Sequence, residues 1–344
     1  MIKAIQTIIL VGLFFSHAPA QNNEIENYVG KGVELHDKGD YAAAIREFQK
    51  ALSIDGNSPL ANFEIANTYF AMKEYEKAID HADKVIALGT RYVDQAYIAK
   101  GSALDMQDKP QEAIKVYQEG IKHYPRNHLL YYNLAFTSYT IKEDDQTEEA
   151  LEKGLKLNPS HASSHLLMGY LMSDMNDRVK SLLALYNFLM LEPTGERAKE
   201  ALALVDQEMK SGVVRENDKK TSIYIPDRKT DSTDNFRPAD FWLSMLEAGK
   251  NLDKNKDKSD AELFMQNSKA FLGLLGTLKK DNTGFWWNYY VAFYEELFKD
   301  KNREEAFSYL ISASWDDKKV MAWIKKNKNK VQDLAKWYQS YARE

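Results

Sequence analysis

The sequence predicts an all-α protein in which a series of helical hairpins precedes a second helical region. Two regular spacings predict this fold. Prolines recur at intervals of 34 residues, at Pro125, Pro159 and Pro193. Small residues recur at intervals of 34 or 35, at Gly32, Ala66, Gly101, Ala135 and Gly169. Two series that share one period indicate an internal repeat, in which each unit is a single supersecondary structure.

Each repeat is expected to be two helices joined by a tight turn. The small residue lies where the two helices cross, because a larger side chain would hold them apart. A second small residue follows twelve positions later in the first three units, at Ala44, Ala78 and Ala113. The proline ends the second helix, since it cannot continue one. One hairpin cannot cover its own apolar face, so the units must stack.

These residues resemble the tetratricopeptide repeat family. The first unit matches the family pattern at Tyr28, Gly32, Leu35, Tyr41, Ala44, Phe48 and Ala51. The third unit matches it at Tyr97, Gly101, Ala113, Tyr117, Gly120 and Pro125. The resemblance covers residues 24–194 as five units, of which the fourth and fifth carry Thr147 and Ser181 in place of the crossing alanine. It implies a right-handed α–α superhelix whose first helices line a concave surface.

The first twenty residues predict export. Lys3 precedes an apolar stretch over residues 5–15, and Ala18-Pro19-Ala20 gives the small-x-small pattern of a cleavage site. The apolar stretch is too short to span a membrane. The chain has no cysteine, which excludes disulfides, Cys-based metal sites and the lipid-bearing cysteine of a lipoprotein. We therefore expect a periplasmic or secreted protein with no stable membrane anchor.

The remainder of the chain is predicted to fall into three regions. Residues 21–210 form the solenoid, with a capping helix over 196–210. Residues 211–238 are polar and interrupted by Gly and Pro, which indicates a linker or long loop. Residues 239–344 form a C-terminal helical module that holds all six tryptophans. A degenerate sixth hairpin within this module is an open alternative.

Nothing in the sequence predicts an enzyme. The formal net charge is -5, which gives no support to nucleic-acid binding. His161 and His165 are four residues apart, but a zinc site needs a third ligand, and His165 falls at the bulky core position of its repeat. Phosphate-binding and nucleophile motifs are absent from the sequence. We expect no catalytic residue, no metal and no cofactor.

The concave surface implied by the resemblance is aromatic, with a few amides. Family members that grip C-terminal carboxylates use Lys, Arg and Asn in this groove, and Val29 and Val33 supply no such cations. Aromatic rings bury much area with little loss of rotamer freedom, and amides can bond a peptide backbone. We predict that the groove holds a peptide segment or helix of an envelope or secreted protein. The candidate binding residues are Phe63, Asn67, Phe70, Tyr132, Asn133, Phe136, Tyr139 and Tyr170.

Two alternatives to groove binding remain open. Several of these rings could serve only to pack against neighbouring repeats or a folded-back C-terminal helix. Alternatively, the tryptophan-rich module binds a small molecule or glycan. The residues that would do so are Asp240, Trp242, Trp286, Trp287 and Trp323.

Overall fold

The computed structural model describes residues 18–217, 220–225, 235–251, 255, 257–341 and 343. Within these residues the chain forms seventeen α-helices, consecutive ones packed in pairs, and one β-hairpin. The predicted all-α repeat fold is thus confirmed. The chain divides into two compact units, Met1–Tyr124 and Pro125–Glu344. The predicted signal peptide lies outside the described residues, except that the backbone of residues 18–20 begins the first helix.

The first unit contains three helical hairpins. Its helices are α1 (Ala18–Asp37), α2 (Tyr41–Ile54), α3 (Pro59–Ala71), α4 (Tyr75–Leu88), α5 (Val93–Met106) and α6 (Pro110–His123). Each first helix packs on its second helix, and α3 also contacts both α1 and α5. The three first helices therefore form a layer of their own.

Small residues allow the close helix crossings of the first unit. A Cβ atom added at Gly32 would overlap the ring of Phe48, and one added at Gly101 would overlap the ring of Tyr117. The second small residues Ala44, Ala78 and Ala113 are fully buried. A larger side chain at either glycine would have to displace an aromatic ring, because the interior is close-packed.

The turn within each hairpin repeats as regularly as the crossings. One residue per hairpin adopts a left-handed backbone conformation, with φ between 58° and 80°. These residues are Gly39, Lys73, Asp108, Lys142 and Asn176. Only the first is a glycine, although a left-handed backbone favours glycine or Asn. The repeat therefore imposes this conformation also on Lys73, Asp108 and Lys142, which are neither glycine nor Asn.

The second unit contains two further hairpins and the remaining helices. The repeats comprise α7 (His128–Thr140), α8 (Asp144–Leu157), α9 (Ala162–Asp174) and α10 (Arg178–Leu191). They are followed by α11 (Glu196–Lys210), β1 (Val213–Asn217), β2 (Lys220–Ile223), α12 (Arg237–Ala248) and α13 (Asp260–Leu278). A π-helix over Trp286–Val291 continues into α14 (Ala292–Leu297). The chain then forms α15 (Lys301–Ile311), α16 (Lys318–Lys326) and α17 (Lys328–Ser340).

The region expected to be a linker, residues 211–238, contains regular structure. Strands β1 and β2 pair antiparallel, with Val213 opposite Ile223. The hairpin begins at Gly212, whose φ is +82° and whose added Cβ would lie 2.6 Å from both Ser244 Oγ and the carbonyl oxygen of Tyr224. Only glycine fits this close approach. The short β-branched segments on either side of a polar turn were a weak signal for this hairpin.

Helix α10 joins the repeats of the second unit to the C-terminal helices. Every residue from Arg178 to Met190 is buried, because α9, α11, α12, α15 and the π-helix all contact this helix. Repeats four and five therefore form one compact unit with the C-terminal helices. The expected separation of solenoid and C-terminal module around residues 211–238 stays a prediction.

Candidate functional site

The first unit exposes one side of its layer of first helices. We call this side the first inner face. Its residues from the second and third repeats are all half-buried, and they are Phe63, Glu64, Asn67, Phe70, Ile98, Ser102 and Asp105. The Phe63 ring stacks on Tyr92 at a centroid distance of 5.6 Å, and Phe70 meets Tyr75 edge-on at 5.6 Å. Part of each phenylalanine is thus engaged in packing, and part stays open to solvent.

Polar groups on the first inner face are held by one another. The Asn67 side chain bonds the carboxylate of Glu64, and the His36 ring bonds Thr68 Oγ1 at 2.9 Å. Burial raises the pKa of Glu64 above its usual value, while the Asn67 bond and the nearby His36 act in the opposite direction. The face therefore combines aromatic rings with a partly desolvated carboxylate.

The second unit presents a comparable face on α7 and α9. This second inner face consists of Leu129, Tyr132, Asn133, Phe136, Tyr139 and Tyr170. Phe136 is 45% exposed and Leu129 is 38% exposed, so both present apolar surface to solvent. The ring centroid of Tyr132 lies 6.4 Å from that of Phe136 and 4.8 Å from that of His161, which it meets edge-on.

Hydrogen bonds fix two of the predicted binding residues on this face. Asn133 Nδ2 donates to the carbonyl oxygen of Leu129 at 2.8 Å. The Tyr139 hydroxyl donates to Asp174 Oδ2 at 2.9 Å, and Lys142 pairs with the same oxygen at 3.0 Å. Desolvation and this carboxylate raise the pKa of Tyr139, so the phenol stays protonated.

The C-terminal helices cover the second helices of repeats four and five. Trp286 Nε1 donates to Glu148 Oε1 at 2.9 Å on α8, and the Tyr289 hydroxyl donates to the carbonyl oxygen of Leu155 at 3.0 Å. The Tyr294 hydroxyl reaches the carbonyl oxygen of Leu183 on α10 at 2.8 Å. These contacts leave Phe136 of the second inner face exposed.

His165 is a satisfied core residue, as its position in the repeat predicts. Its ring is fully buried and is hydrogen-bonded to the Tyr290 hydroxyl and the Pro159 carbonyl oxygen, both at 2.8 Å. Desolvation lowers the pKa of His165 to about 3. Within the described part of the chain, no group of three or more His, Cys, Asp or Glu side chains could hold a metal ion.

One of the candidate ligand-binding residues, Asp240, belongs to a buried ionic network. Asp240 is 1% exposed and pairs with the equally buried Arg178. Arg178 Nη2 also donates to the Asp240 carbonyl oxygen at 2.5 Å and to Ser244 Oγ at 2.7 Å, while Nη1 donates to the Ser211 carbonyl oxygen. This network fastens α12 and the start of the β-hairpin to α10. Sequence reasoning missed Arg178, because an arginine at a helix start is ordinarily solvated.

The tryptophans proposed for ligand binding serve mainly as packing groups. Trp286 and Trp287 are buried, and Trp287 stacks on Phe236 at 4.3 Å. Trp323 stacks on Tyr309 at 4.0 Å, with its indole nitrogen donating to Glu305. Trp242 alone of these four is exposed, at 39%. Three of the four rings are therefore engaged with neighbouring side chains.

Comparisons with known proteins agree on the repeat. The family model described as tetratricopeptide repeat matches residues 35–97. The chain is 29% identical over 136 residues to TPR repeat-containing protein MJ1428 of Methanocaldococcus jannaschii. It is 30% identical over 110 residues to small glutamine-rich tetratricopeptide repeat-containing protein 2 of Mycosarcoma maydis. The chain therefore contains tetratricopeptide repeats.

These similarities cover only part of each chain. The two alignments cover 39% and 32% of this chain, but only 24% and 31% of the relatives' own lengths. The solved structure of Pseudomonas aeruginosa pilF is 24% identical, with a TM-score of 0.50, and covers 56% of this chain and 85% of that one. The chain therefore shares a helical-hairpin fold with that structure. Among its described residues, no helix is both long and apolar enough to cross a membrane.

Proposed function

We propose that this protein is a non-catalytic scaffold that binds a peptide segment or helix of a partner protein on the inner faces of its repeats. The observation that carries the proposal is the exposure of Phe136, at 45%, beside Tyr132 and Leu129 on one helix. Exposed aromatic and aliphatic side chains grouped on a rigid element are typical of protein-binding surfaces.

The chemistry of the faces defines what kind of segment would bind. Aromatic rings offer area to apolar side chains of the partner, while Asn67 and Ser102 add hydrogen-bonding groups on the first inner face. Neither face carries, at its binding positions, the cations that would hold a terminal carboxylate. The bound segment is therefore internal to the partner and apolar on one side.

Substitution on the faces tests this function. Partners would be captured from an envelope extract with the intact protein, identified by mass spectrometry and purified. Their affinity would then be measured for Phe70→Ala in the first unit and for Tyr132→Ala with Phe136→Ala in the second. We expect a loss of at least tenfold for one of the two faces. Phe241→Ala is a matched control, because this ring is 49% exposed on α12. Unchanged affinity in both folded variants would reject the proposal.

We further propose that the protein acts in the cell envelope or outside it. The support is the sequence of residues 1–20, with a basic start, an apolar centre and the Ala18-Pro19-Ala20 pattern. Expression of the full chain in a Gram-negative host, followed by mass spectrometry of the periplasmic protein, tests this. We expect a new amino terminus at Gln21. A protein that stays in the cytoplasm with Lys3 still present would contradict it.

A further inference from the structure

Aromatic rings surround the guanidinium group of Arg343 in the second unit. Helix α17 ends at Ser340, and Arg343 follows it outside any helix or strand. The guanidinium carbon Cζ lies 3.8 Å from the ring centroid of Phe293, 4.8 Å from that of Tyr289 and 5.0 Å from that of Tyr338. The planes of Phe293 and Tyr338 meet at 85°, so these two rings form a corner. We call the three rings the arginine cage.

A buried amide completes the arginine cage. Asn187 on α10 is fully buried, and its Oδ1 accepts a hydrogen bond from Arg343 Nη2 at 2.8 Å. Its Nδ2 donates to the Tyr294 hydroxyl at 2.6 Å, which holds the amide in place. A buried carbonyl oxygen without a donor costs free energy, so the site favours a ligand that donates. A guanidinium group fits this site, because its flat faces stack on aromatic rings while its N–H groups donate in its plane.

The cage belongs to the helices of the unit, whereas its occupant does not. Tyr289 lies in the π-helix Trp286–Val291, a rare kind of helix that frequently occurs at functional sites. Phe293 lies on α14 and Tyr338 on α17, and all three rings of the cage are buried. Arg343 is only half-buried and lies outside these helices. Its side chain can therefore leave the cage without the unfolding of any helix.

We propose that the arginine cage is a binding site for an arginine side chain of a partner protein, and that Arg343 occupies the site until such a side chain replaces it. None of the cage residues belongs to either inner face, so this inference is independent of the proposed function. A lysine of the partner would bind less well, because its ammonium group has no flat face to stack on Phe293 and is more strongly hydrated.

Three synthetic peptides test this site on the full chain. The probes are amidated hexapeptides of sequence GSYARG, GSYAKG and GSYAQG with a fluorescent label at the amino terminus, and the first contains the sequence of residues 340–343. Arg343→Gln removes the resident cation and empties the cage. Fluorescence polarisation should show that this variant binds the Arg peptide at least tenfold more tightly than the other two peptides. It should also bind the Arg peptide at least tenfold more tightly than the wild type does, because Arg343 competes for the cage.

The matched control removes an arginine that stacks on a single ring. The guanidinium carbon of Arg303 lies 4.3 Å from the ring centroid of Trp337, and Arg303→Gln should bind the Arg peptide as weakly as the wild type. If circular dichroism shows that Arg343→Gln does not fold, Arg343→Lys takes its place and should bind the Arg peptide at least threefold more tightly than the wild type. The inference fails if the folded Arg343 variant binds no peptide, binds all three alike, or binds the Arg peptide no more tightly than the wild type.

Discussion

Helix α10, a second helix of the second unit, differs sharply from α4, a second helix of the first, although the two helices have the same length. In the first unit, α4 buries only Ala78, Ala82 and Val85 and turns its remaining surface outward. In the second unit, α10 is buried along its whole first thirteen residues, from Arg178 to Met190. The comparison teaches that crossing residues set the geometry of a hairpin, while the surroundings decide how much of it is buried.

Complete burial brings polar groups into the interior, and the second unit pairs them. Arg178 meets Asp240, Ser211 and Ser244, and the Asn187 amide donates to the Tyr294 hydroxyl at 2.6 Å. Without such partners, each group would lose its hydrogen bonds to water on burial and gain none in return, which costs free energy. The first unit has less need of these networks, because none of its described Lys, Arg, Asp or Glu residues is fully buried.

Removal of one member of the ionic network should have the largest effect. Arg178→Met leaves Asp240 buried without its cation, and we expect the free energy of unfolding of the whole protein to fall by about 3–5 kcal/mol. Urea denaturation monitored by tryptophan fluorescence measures this change. The double variant Arg178→Met with Asp240→Leu should recover most of the loss. A double variant as unstable as the single one would show that the charge pair itself is not what α10 requires.

A pair of glycines on one helix tests the crossing in the first unit. Gly32→Ala pushes a methyl group into the Phe48 ring, and we expect a loss of about 1–3 kcal/mol. Gly30→Ala on the same helix meets no atom within 4 Å, so it should stabilise the protein by about 0.5–1 kcal/mol. Thermal unfolding followed by circular dichroism compares the two. Equal effects would contradict the close crossing at Gly32.

The buried histidine of the second unit predicts a dependence of stability on pH. The pKa of His165 is about 3 in the folded chain, against an ordinary value of about 6.5 for the exposed histidine of the unfolded chain. Between these values the unfolded chain binds a proton that the folded chain does not. The stability is therefore complete above pH 6.5 and falls as the pH decreases, by at most about 1.4 kcal/mol per pH unit for one histidine.

Replacement of this histidine should flatten the pH profile. His165→Phe keeps a ring in the core but cannot titrate, so its stability should depend less on pH between 6.5 and 4 than that of the wild type. Urea denaturation at a series of pH values gives the two slopes. Identical slopes would mean that other groups account for the acid sensitivity.

The smallest effect on stability is expected on the second inner face. Phe136 is 45% exposed, so Phe136→Ala should change the free energy of unfolding by no more than about 0.5 kcal/mol. Phe188→Ala makes the same change at a fully buried ring of α10 and should cost several times more. Urea denaturation of both variants measures the contrast. Comparable losses would show that Phe136 serves packing rather than an open face.

Parts of the candidate site could be predicted from the sequence, because the position of a residue within its repeat fixes the side of the helix on which it lies. The period placed Phe63 and Phe70 on one side of a first helix, and it placed His165 in the core of its repeat. It also placed Phe136 on a first helix, where its ring is exposed. By contrast, Glu64 was overlooked, because its partial burial beside His36 and Asp37 depends on the neighbouring helix α1.

The sequence by itself determined the hairpins, their length, their crossings and the ends of their helices, because each depends on residues within about one repeat of one another. Only the tertiary structure decided that α10 is enclosed, that the strands Val213–Asn217 and Lys220–Ile223 pair and that Asp240 is paired with Arg178. The Arg178–Asp240 pair joins residues 62 positions apart. Contacts across such a separation leave no period in the sequence, so burial and charge pairing at these sites become visible only when the chain is folded.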